Sequence, residues 1–358
     1  MPRLDPIRHR LRVHGLAGAR FTDPSSVVRW FGAMQAQEYG VAKWSIGQRA
    51  RGVDEAMVDA ALADGTILRT HVLRPTWHFV LAEDLRWMLA LTAPRVRTAM
   101  ASADRKLGID ARVISRSNAV IAAALEAGRH LTRAEIATAL GAAGIEARGP
   151  RLGHLVSHAE LDAVVASGAP KGKQQTYALL DERAPGTRTL EGDEALAELA
   201  TRYFTSRGPA TARDFRWWSS LTATDATRAI EAAAGALTEW RTDGRSWWIG
   251  SAGAPPGIRR SPGAHLLQVY DEYFVAYTES RVLVGSDPLA RVLGANVVHA
   301  VVLDGRVAGH WKRAVGKRSI IIEIQLAARV RWTEREAIAS AAEAHGKFAS
   351  VPIELRFG

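Results

Sequence analysis

Three short amphipathic helices followed by a pair of strands form a pattern that recurs along this sequence. The pattern is clearest in residues 116–190. Asn118 is the expected N-cap of the first helix, residues 132–135 (Thr-Arg-Ala-Glu) form a capping box for the second, and apolar side chains at 152–159 recur at helical spacing. Two apolar runs separated by a Gly-, Pro- and Lys-rich turn come next. Three helices and a hairpin in this order predict a winged helix.

A second copy of the pattern occupies residues 191–257. Thr211 and Thr222 are expected to cap two of its helices, and Asp243-Gly244 favours a tight turn between two strands. This region therefore predicts another winged helix.

The first third of the chain, residues 1–115, fits the same pattern. Asp23 followed by Pro24 predicts the start of a helix, an apolar stripe extends over residues 27–34, and residues 67–80 alternate as in a hairpin. We therefore expect three tandem winged helices.

The last part of the sequence is rich in strands. The expected strands are 266–277, 297–303, 306–311, 319–326 and 352–357, and the capping box of one helix is expected at 333–336. The Gly- and Pro-rich stretch 250–263 is the expected linker. The predicted fold is α+β, with winged helices at 1–115, 116–190 and 191–257 and a β-rich domain at 258–358.

The composition excludes several classes of protein. The 358 residues are 47% apolar and 23% charged, so the chain can bury cores and global disorder is excluded. The absence of cysteine excludes disulfide scaffolds, thiolate metal sites and cysteine nucleophiles. Neither a signal peptide nor a membrane span is indicated, so we expect a cytoplasmic protein.

The net charge of +10 points to a polyanionic partner, although an Ala- and Arg-rich composition also follows from GC-rich coding. The positive charge is concentrated at the two ends. Residues 1–120 carry 18 basic and 11 acidic side chains, and residues 258–358 carry 14 and 10. The two ends are therefore the candidates for contact with nucleic acid.

Familiar enzyme signatures are absent: no Walker loop, GxGxxG after a strand, HExxH or GxSxG occurs, so no metal or other cofactor is expected. His154 and His158 have the spacing of a zinc ligand pair, but no acidic third ligand accompanies them, which favours a solvated or capping role. Asp271 and Glu272 lie in a predicted aromatic strand. A strand end or a buried ion pair is favoured there over a catalytic acid.

Gln35 and Gln37 form the polar segment that most indicates a site. They flank Ala36 at the expected end of an amphipathic helix, where side chains two positions apart diverge by about 200°. Both amides converge only if the helix ends or unwinds there, which Gly40 favours. Taken alone, a pair of solvated glutamines is the favoured interpretation.

Two further segments have patterns that suit contact with DNA. Residues 68–80 alternate cationic or imidazole groups with apolar ones, as in a hairpin that offers one face to phosphate; a polar wing edge is an equally good interpretation. Residues 304–318 combine basic side chains with Trp311 and a single acid, Asp304. That segment suits insertion into a DNA groove, and a solvated sheet edge is the alternative.

Together these segments resemble the AlkZ/YcaQ family of bacterial winged-helix DNA glycosylases, over nearly the whole chain. The matching motifs are FGAMQAQ (31–37), AKWSIG (42–47), RTH (69–71), RPTWH (74–78), YDEY (270–273) and DGRVAGHW (304–311). The resemblance implies that the winged helices and the C-terminal β domain form a C-shaped clamp with a catalytic QΦQ motif in its channel.

In this sequence the implied catalytic residues are Gln35 and Gln37. The YcaQ branch has QΦD, so the second glutamine indicates the AlkZ-like branch, which excises bulky N7-alkylguanine adducts and in some members unhooks interstrand crosslinks. The implied role is self-resistance to a genotoxic natural product of the azinomycin, hedamycin or trioxacarcin type. The expected partner is double-stranded DNA carrying alkylated guanine, and the expected state is a monomer without cofactor. By analogy, the expected DNA contacts are Lys43, Arg69, His71, Arg74, His310, Trp311, Lys312 and Arg313. Of these, Lys43, Arg69, Arg74, Lys312 and Arg313 are expected to contact phosphates, and His310 and Trp311 are expected to lie near the lesion.

Glutamines suffice in such an enzyme because N7 alkylation makes the leaving base cationic, so it departs without a general acid. The remaining task is to hold a water under the anomeric carbon, which amide groups can do. A neutral amide is a poor general base, so uncharged bases should react little. The sequence does not distinguish the roles of Gln35 and Gln37.

Two other functions remain open. A DNA-binding transcriptional regulator without catalysis would have a similar charge distribution, but it should carry basic residues on the third helix of each unit, where this sequence has few. A protein that only sequesters the drug or its adduct would bind without producing abasic sites.

Overall fold

The structure is a computed structural model. It describes residues 5–18, 21–172, 174–186, 188–242, 244–251, 263–285, 299–316 and 318–358. Within these residues the fold is α+β, as expected, and consists of three helix-and-hairpin units and a C-terminal sheet.

The first unit has three helices and a three-stranded antiparallel sheet. A separate helix α1 (Pro6–Val13) precedes α2 (Pro24–Phe31), β1 (Ala33–Gln35), α3 (Tyr39–Gly47), α4 (Glu55–Asp64), β2 (Ile67–His71) and β3 (Trp77–Leu81). The strands lie in the order β1-β3-β2. The long helix α5 (Ala82–Lys106) then leads to the second unit.

The second unit has the same topology. Its elements are α6 (Ala111–Leu125), β4 (Leu131–Thr132), α7 (Arg133–Ala142), α8 (Gly149–Leu161), β5 (Val165–Ser167), β6 (Thr176–Leu179) and a short α9 (Leu180–Arg183). The strand order β4-β6-β5 is the counterpart of β1-β3-β2. The predicted capping box at Thr132 is confirmed, whereas Asn118 as an N-cap is wrong, because Asp110 caps α6. The expected boundary after residue 115 consequently falls inside this helix.

The third unit follows the same order of helices and hairpin. Its elements are α10 (Gly192–Arg207), α11 (Ala212–Ser219), α12 (Ala223–Ala232), β7 (Leu237–Thr242) and β8 (Arg245–Gly250). An isolated bridge between Ala210 and Trp248 stands where the other units have their first strand. The predicted caps at Thr211 and Thr222 are confirmed. Asp243 and most of the expected linker at 250–263 lie outside the described residues.

The C-terminal part is a five-stranded sheet with one long helix. Its elements are β9 (Ala264–Leu267), α13 (Glu272–Val275), β10 (His299–Leu303), β11 (Arg306–Val315), β12 (Ile320–Leu326), α14 (Trp332–Ala349) and β13 (Ile353–Phe357). The strand order is β13-β12-β11-β10-β9, and β13 runs parallel to β12.

Two predictions for this part are wrong. The strand expected at 266–277 ends at Leu267, because the Asp271 carboxylate accepts the backbone N–H of Tyr273 and starts helix α13. The capping box of helix α14 lies two residues earlier than expected, with Arg331 in place of Thr333 as the N-cap, since the backbone N–H of Arg331 donates to the Glu334 carboxylate. Residues 297 and 298 of another expected strand lie outside the described residues.

The three units share one apolar core. The same cluster of buried side chains includes Leu68 and Val72 from the first unit, Leu161 from the second, and Tyr203 and Phe204 from the third. The hydrophobic effect therefore holds the units together as well as folding each one.

Both ends of the chain pack on distant partners. Leu11, next to the end of α1, lies in one apolar cluster with Leu267 and Tyr273 of the C-terminal part. Near the other end, Phe348 joins the core of the first unit, where a Cβ atom added to Gly47 would lie 2.3 Å from its ring. The first unit and the C-terminal sheet are therefore in direct contact.

Two fully buried ion pairs reinforce this contact. Arg49, after α3, binds both carboxylate oxygens of Asp271 at 2.6 and 2.9 Å. Arg207, at the end of α10, donates twice to Glu272 at 2.6 and 2.9 Å and also to the backbone oxygen of Ala33 at 2.7 Å. The second pair thus joins the third unit, helix α13 and strand β1.

None of the helices in the described parts of the chain combines the length and apolar character needed to cross a membrane.

Replacing Arg207 tests how much the buried ion pair between Arg207 and Glu272 contributes to the free energy of unfolding. Arg207→Met leaves the buried Glu272 carboxylate without its cation, which is expected to lower the free energy of unfolding by about 3–5 kcal/mol. Urea denaturation measures the change. Arg241→Met, which breaks a solvent-exposed pair with Glu239, is the matched control and should leave unfolding nearly unchanged. An equally small effect of both substitutions would contradict the assigned role of Arg207.

The buried His345 predicts a pH dependence of stability. Burial, followed by repulsion from Arg313 and His299, lowers its pKa to about 4. Because the unfolded chain binds this proton near pH 6.5, the contribution to stability is complete above that pH and is lost towards pH 4, by up to about 1.4 kcal/mol per pH unit. Between pH 6.5 and 4.5 the unfolding free energy of His345→Gln should fall less steeply with decreasing pH than that of the wild type. The slopes should differ by up to about 1.4 kcal/mol per pH unit, which corresponds to one bound proton. Identical slopes in urea titrations of the two proteins would refute this.

Candidate active site

Gln35 and Gln37 lie at the edge of the first unit's sheet. Helix α2 ends at Phe31, Gly32 adopts a positive φ of 71°, and the chain continues as β1, in which Gln35 is paired with His78 of β3. One residue further, the N–H of Ala36 donates to the Trp77 carbonyl at 2.7 Å. The backbone of Gln35 and Ala36 is therefore held against β3, and the chain bends at Gln37.

The prediction that these glutamines end a helix is wrong, but the condition for their convergence is met in another way. Strand β1 ends at Gln35, and the backbone bends at Gln37. Both amide oxygens accept from the same hairpin, that of Gln35 from Arg74 and that of Gln37 from the backbone N–H of Trp77.

The main chain and the side chain of Gln35 are both fixed. Its backbone N–H donates to Oε1 of Glu272 at 2.8 Å, and its side-chain Oε1 accepts from Nη2 of Arg74 at 2.9 Å. The residue is 6% exposed. Nη1 of Arg74 also donates to the Val275 carbonyl at 3.4 Å. Gln35 is thus held between helix α13 and the loop joining β2 to β3.

Gln37 is held more weakly and is only half-buried. Its Oε1 accepts from the backbone N–H of Trp77 at 3.3 Å. This long hydrogen bond between neutral groups leaves the Gln37 amide the freer of the two.

The two carboxylates expected in an aromatic strand are structural. Asp271 receives Arg49, Ser45 and Gln48, and Oε2 of Glu272 receives Arg207 and the Trp218 indole N–H. The buried-ion-pair interpretation is confirmed for both residues. Neither carboxylate is available as a catalytic acid, because each is saturated by donors.

Several polar atoms near Gln35 have no hydrogen-bond partner among the described residues. They are Nε of Arg74, Oγ1 of Thr70, Oγ1 of Thr76 and Nε2 of His78, all buried on or beside the β2–β3 hairpin. Buried polar groups are normally hydrogen-bonded. These atoms can therefore bind an ordered water or a polar group of a substrate next to the glutamines.

Arg69, expected to contact phosphate, instead supports the glutamine segment. Its guanidinium donates to the carbonyls of Ala36 at 2.9 Å and Gln37 at 3.3 Å, binds Gln175, and lies 4.2 Å from the centroid of the Trp77 ring. Burial lowers its pKa to about 10. The side chain is only 5% exposed, so its donors are used inside the protein.

His71 and Lys43 are also engaged internally. Nδ1 of His71 bonds to the fully buried Glu160 of α8, at the junction of the first two units. Lys43 pairs with Glu55 at 2.6 Å and Asp59 at 2.9 Å, and its side chain is almost buried. In this structure neither side chain is free to bind a phosphate, because an acidic partner already occupies each one.

The expectation that Trp311 lies near the lesion is contradicted. Its ring is 0% exposed, lies between His299 and His345, and its Nε1 donates to the Leu267 carbonyl at 2.9 Å. Alternation along β11 points this side chain into the core beneath α14. His310, on the other face of the strand, is nearly buried as well.

The β11–β12 hairpin connects to the glutamine segment through Arg313. Nη2 of this residue donates to the Gly40 carbonyl at 2.7 Å, in the first turn of α3. On the same hairpin Lys312, Val315 and Arg318 are exposed, and Val315 is 68% exposed. A cationic, partly apolar surface of the hairpin is thus held by Arg313 against Gly40, three residues after Gln37. Lys317 lies outside the described residues.

His154 and His158 do not form a metal site. Both bond to Asp104 of α5, at 2.7 and 3.0 Å, and His158 is buried, so the expected solvated role is wrong for it. In the described parts of the chain no group of three or more His, Cys, Asp or Glu side chains is arranged to hold a metal ion.

Sequence reasoning missed the residues that hold Gln35. The sequence predicts that Arg74 contacts a phosphate, whereas in the structure it binds the Gln35 amide. No pattern in the sequence indicates that Glu272 and Arg207, which are far along the chain, meet at β1. One local signal was available: Gly32, which falls inside the apolar stripe 27–34, is a common helix terminator and predicts that the segment after it is not helical.

Comparisons with known proteins show the fold and the family of this chain. The family model described as DNA glycosylase AlkZ-like matches residues 28–348. An interstrand DNA cross-link repair glycosylase from Streptomyces sahachiroi is 27% identical over 308 residues, which cover 81% of this chain and 83% of that protein. The solved structure of Streptomyces sahachiroi DNA glycosylase AlkZ matches with a TM-score of 0.80 and 23% identity over 98% of each chain, which shows a shared fold. Because the family model spans most of its length, this chain belongs to the AlkZ-like family of DNA glycosylases.

Proposed function

We propose that this enzyme is a monofunctional glycosylase that hydrolyses the N-glycosidic bond of bulky N7-alkylguanine adducts in double-stranded DNA, including those in interstrand crosslinks. Its role would be self-resistance to a genotoxic natural product. The observation that carries the proposal is that Gln35 and Gln37 lie together at the edge of the first unit's sheet, with both amide oxygens held by donors of the β2–β3 loop region.

The reaction needs little from the protein beyond positioning. The bond between C1′ of the sugar and N9 of the alkylated guanine breaks, and its electron pair neutralises the cationic base. A water oxygen forms the new bond to C1′, and the water's proton passes to solvent. Amide groups held in place can align this water and bind an adjacent sugar or phosphate oxygen.

The chemistry of the site also sets its selectivity. Glu272, whose carboxylate accepts the backbone N–H of Gln35, and its neighbour Asp271 are each paired with a buried arginine, so neither is placed to protonate a leaving group. An uncharged base requires such a proton, so the amides alone favour bases that alkylation has already made cationic.

The architecture suits a duplex substrate. We propose that the three helix-and-hairpin units are winged helices, that together with the C-terminal sheet they form a C-shaped clamp, and that the protein acts as a cytoplasmic monomer. The exposed Lys312, Val315 and Arg318 would meet the DNA beside the lesion. Crosslinks and bulky adducts resist extrusion of the base, so a probe that enters the groove has an advantage over a base-flipping pocket.

The regulator alternative is less consistent with the third helices of the units. In the first unit α4 carries three acidic residues and no basic one. In α8, Arg151 and His154 are bonded internally, and in α12 the basic residue Arg228 pairs with Asp193. A recognition helix needs free donors to read base edges.

Excision of an alkylated base tests the proposal. Wild-type protein is incubated with one duplex carrying N7-methylguanine and another carrying a nitrogen-mustard N7-guanine crosslink, then treated with alkali to cleave abasic sites. Strand cleavage at the lesion is expected in at least one duplex. Gln35→Ala and Gln37→Ala should each lower the single-turnover rate about 10²-fold, because each removes a group that aligns the reactants.

Two outcomes would contradict this proposal. Binding to both duplexes without abasic sites would indicate a regulator or a sequestering protein. Full activity in both glutamine variants, with cleavage by the wild type, would remove the assigned site. Thermal unfolding of each variant shows whether it is folded.

The salt dependence of DNA binding tests the hairpin contact. Lys312→Gln should reduce the magnitude of the slope of log K against log salt concentration by about 0.9, since one phosphate contact is lost. Lys43→Gln is the matched control and should leave the slope unchanged, because Lys43 is already paired with Glu55 and Asp59. If instead Lys43→Gln reduces the slope and Lys312→Gln does not, Lys43 contacts a phosphate and Lys312 does not.

A further inference from the structure

Arg74 contacts one of the two glutamines directly. Its Nη2 donates to Oε1 of Gln35 at 2.9 Å, and its Nη1 donates to the Val275 carbonyl at 3.4 Å. Burial has the largest effect on the pKa of Arg74 and lowers it. The nearby Glu272 carboxylate acts in the opposite direction and raises the pKa. The guanidinium is therefore a cation held inside the protein, partly compensated by a fixed anion.

A guanidinium has only donors, so this contact determines the orientation of the amide. The atom of Gln35 that faces Arg74 must be its oxygen, and the NH₂ group must face away. A charge-assisted hydrogen bond is stronger than one between neutral groups. The Gln35 amide is consequently held in one of its two orientations.

We propose that Arg74 is a positioning residue that acts through Gln35. It occupies the amide oxygen and thereby directs the NH₂ group of Gln35 towards an oxygen of the substrate, while Gln37, whose oxygen accepts only one long hydrogen bond from Trp77, aligns the water. This inference rests on the proposed glycosylase function. It assigns contact with the substrate oxygen to Gln35 and alignment of the water to Gln37.

The surroundings of Gln35 support this assignment. Glu272 accepts the backbone N–H of Gln35 with Oε1, and its Oε2 is held by Arg207, which also binds the Ala33 carbonyl of the same strand. The main chain of Gln35 is thus fixed independently of Arg74. Only the orientation of its side-chain amide is left for Arg74 to set.

A double-mutant cycle tests the inference. Single-turnover rates and DNA affinities are measured for wild type, Arg74→Met, Gln35→Ala and the double variant, with whichever of the two lesion duplexes the wild type cleaves. Arg74→Met should lower the rate about 10-fold or more and leave the affinity and its salt slope unchanged. In the Gln35→Ala background the same substitution should have no further effect on the rate. Arg74→Lys, which keeps a charged donor, should recover part of the loss.

The control is Arg183→Met. Arg183 is also partly buried and donates to the Leu62 and Ala63 carbonyls at 2.8 and 3.0 Å, away from the glutamines. This variant should lower thermal stability and leave the excision rate unchanged, which separates positioning from a general effect on folding.

Four results would overturn the inference. If Arg74→Met reduces the salt slope by about one unit, Arg74 is a phosphate contact as the sequence predicts. Independent effects of the Arg74 and Gln35 substitutions on the rate, or an unchanged rate in Arg74→Met, would show that Arg74 does not act through Gln35. A wild-type protein that cleaves neither duplex would overturn the glycosylase substrate proposal itself, and the positioning role with it.

Discussion

The buried Glu272 carboxylate is the interaction on which the geometry of the site depends. One of its oxygens accepts the backbone N–H of Gln35, and the other is held by Arg207 and Trp218 of the third unit. Burying a carboxylate costs free energy unless cations and donors compensate it, and here they come from separate parts of the chain. Strand β1 is therefore positioned by tertiary contacts, so the site exists only when the first unit, the third unit and helix α13 have assembled.

That constraint explains how neutral side chains can serve as catalytic groups. An amide contributes through orientation rather than through charge or proton transfer, and orientation requires a rigid support. The structure supplies it twice, by pairing β1 with β3 and by engaging the Gln35 amide with Arg74. Arg69 also fixes the backbone of this segment, because its guanidinium donates to the Ala36 and Gln37 carbonyls. Several cations that look like a DNA-binding surface in the sequence are instead the framework of the site.

Much of the fold could be predicted from local sequence. The box at Thr132, the caps at Thr211 and Thr222 and the hairpin at 67–80 were all identified, because caps and strand alternation depend on residues a few positions apart. The glutamine pair was singled out by its resemblance to a family motif, and its catalytic role stays a prediction. The wrong roles assigned to Arg69, Arg74 and Trp311 have one physical cause: the contacts of these residues are set by partners far along the chain. A sequence pattern shows that a side chain is cationic or aromatic, but not whether an internal acceptor already occupies it.

The central claim is that two positioned amides suffice because the damaged base leaves as a cation. Its most direct test is the relative single-turnover excision rate of two bases at the same position of one duplex, N7-methylguanine and the uncharged hypoxanthine. The account predicts that the charged base is removed faster by at least the factor of about 10²–10⁴ that a general acid would otherwise supply. Comparable rates for the two bases would contradict it, since the enzyme would then need a proton donor that two glutamines do not provide.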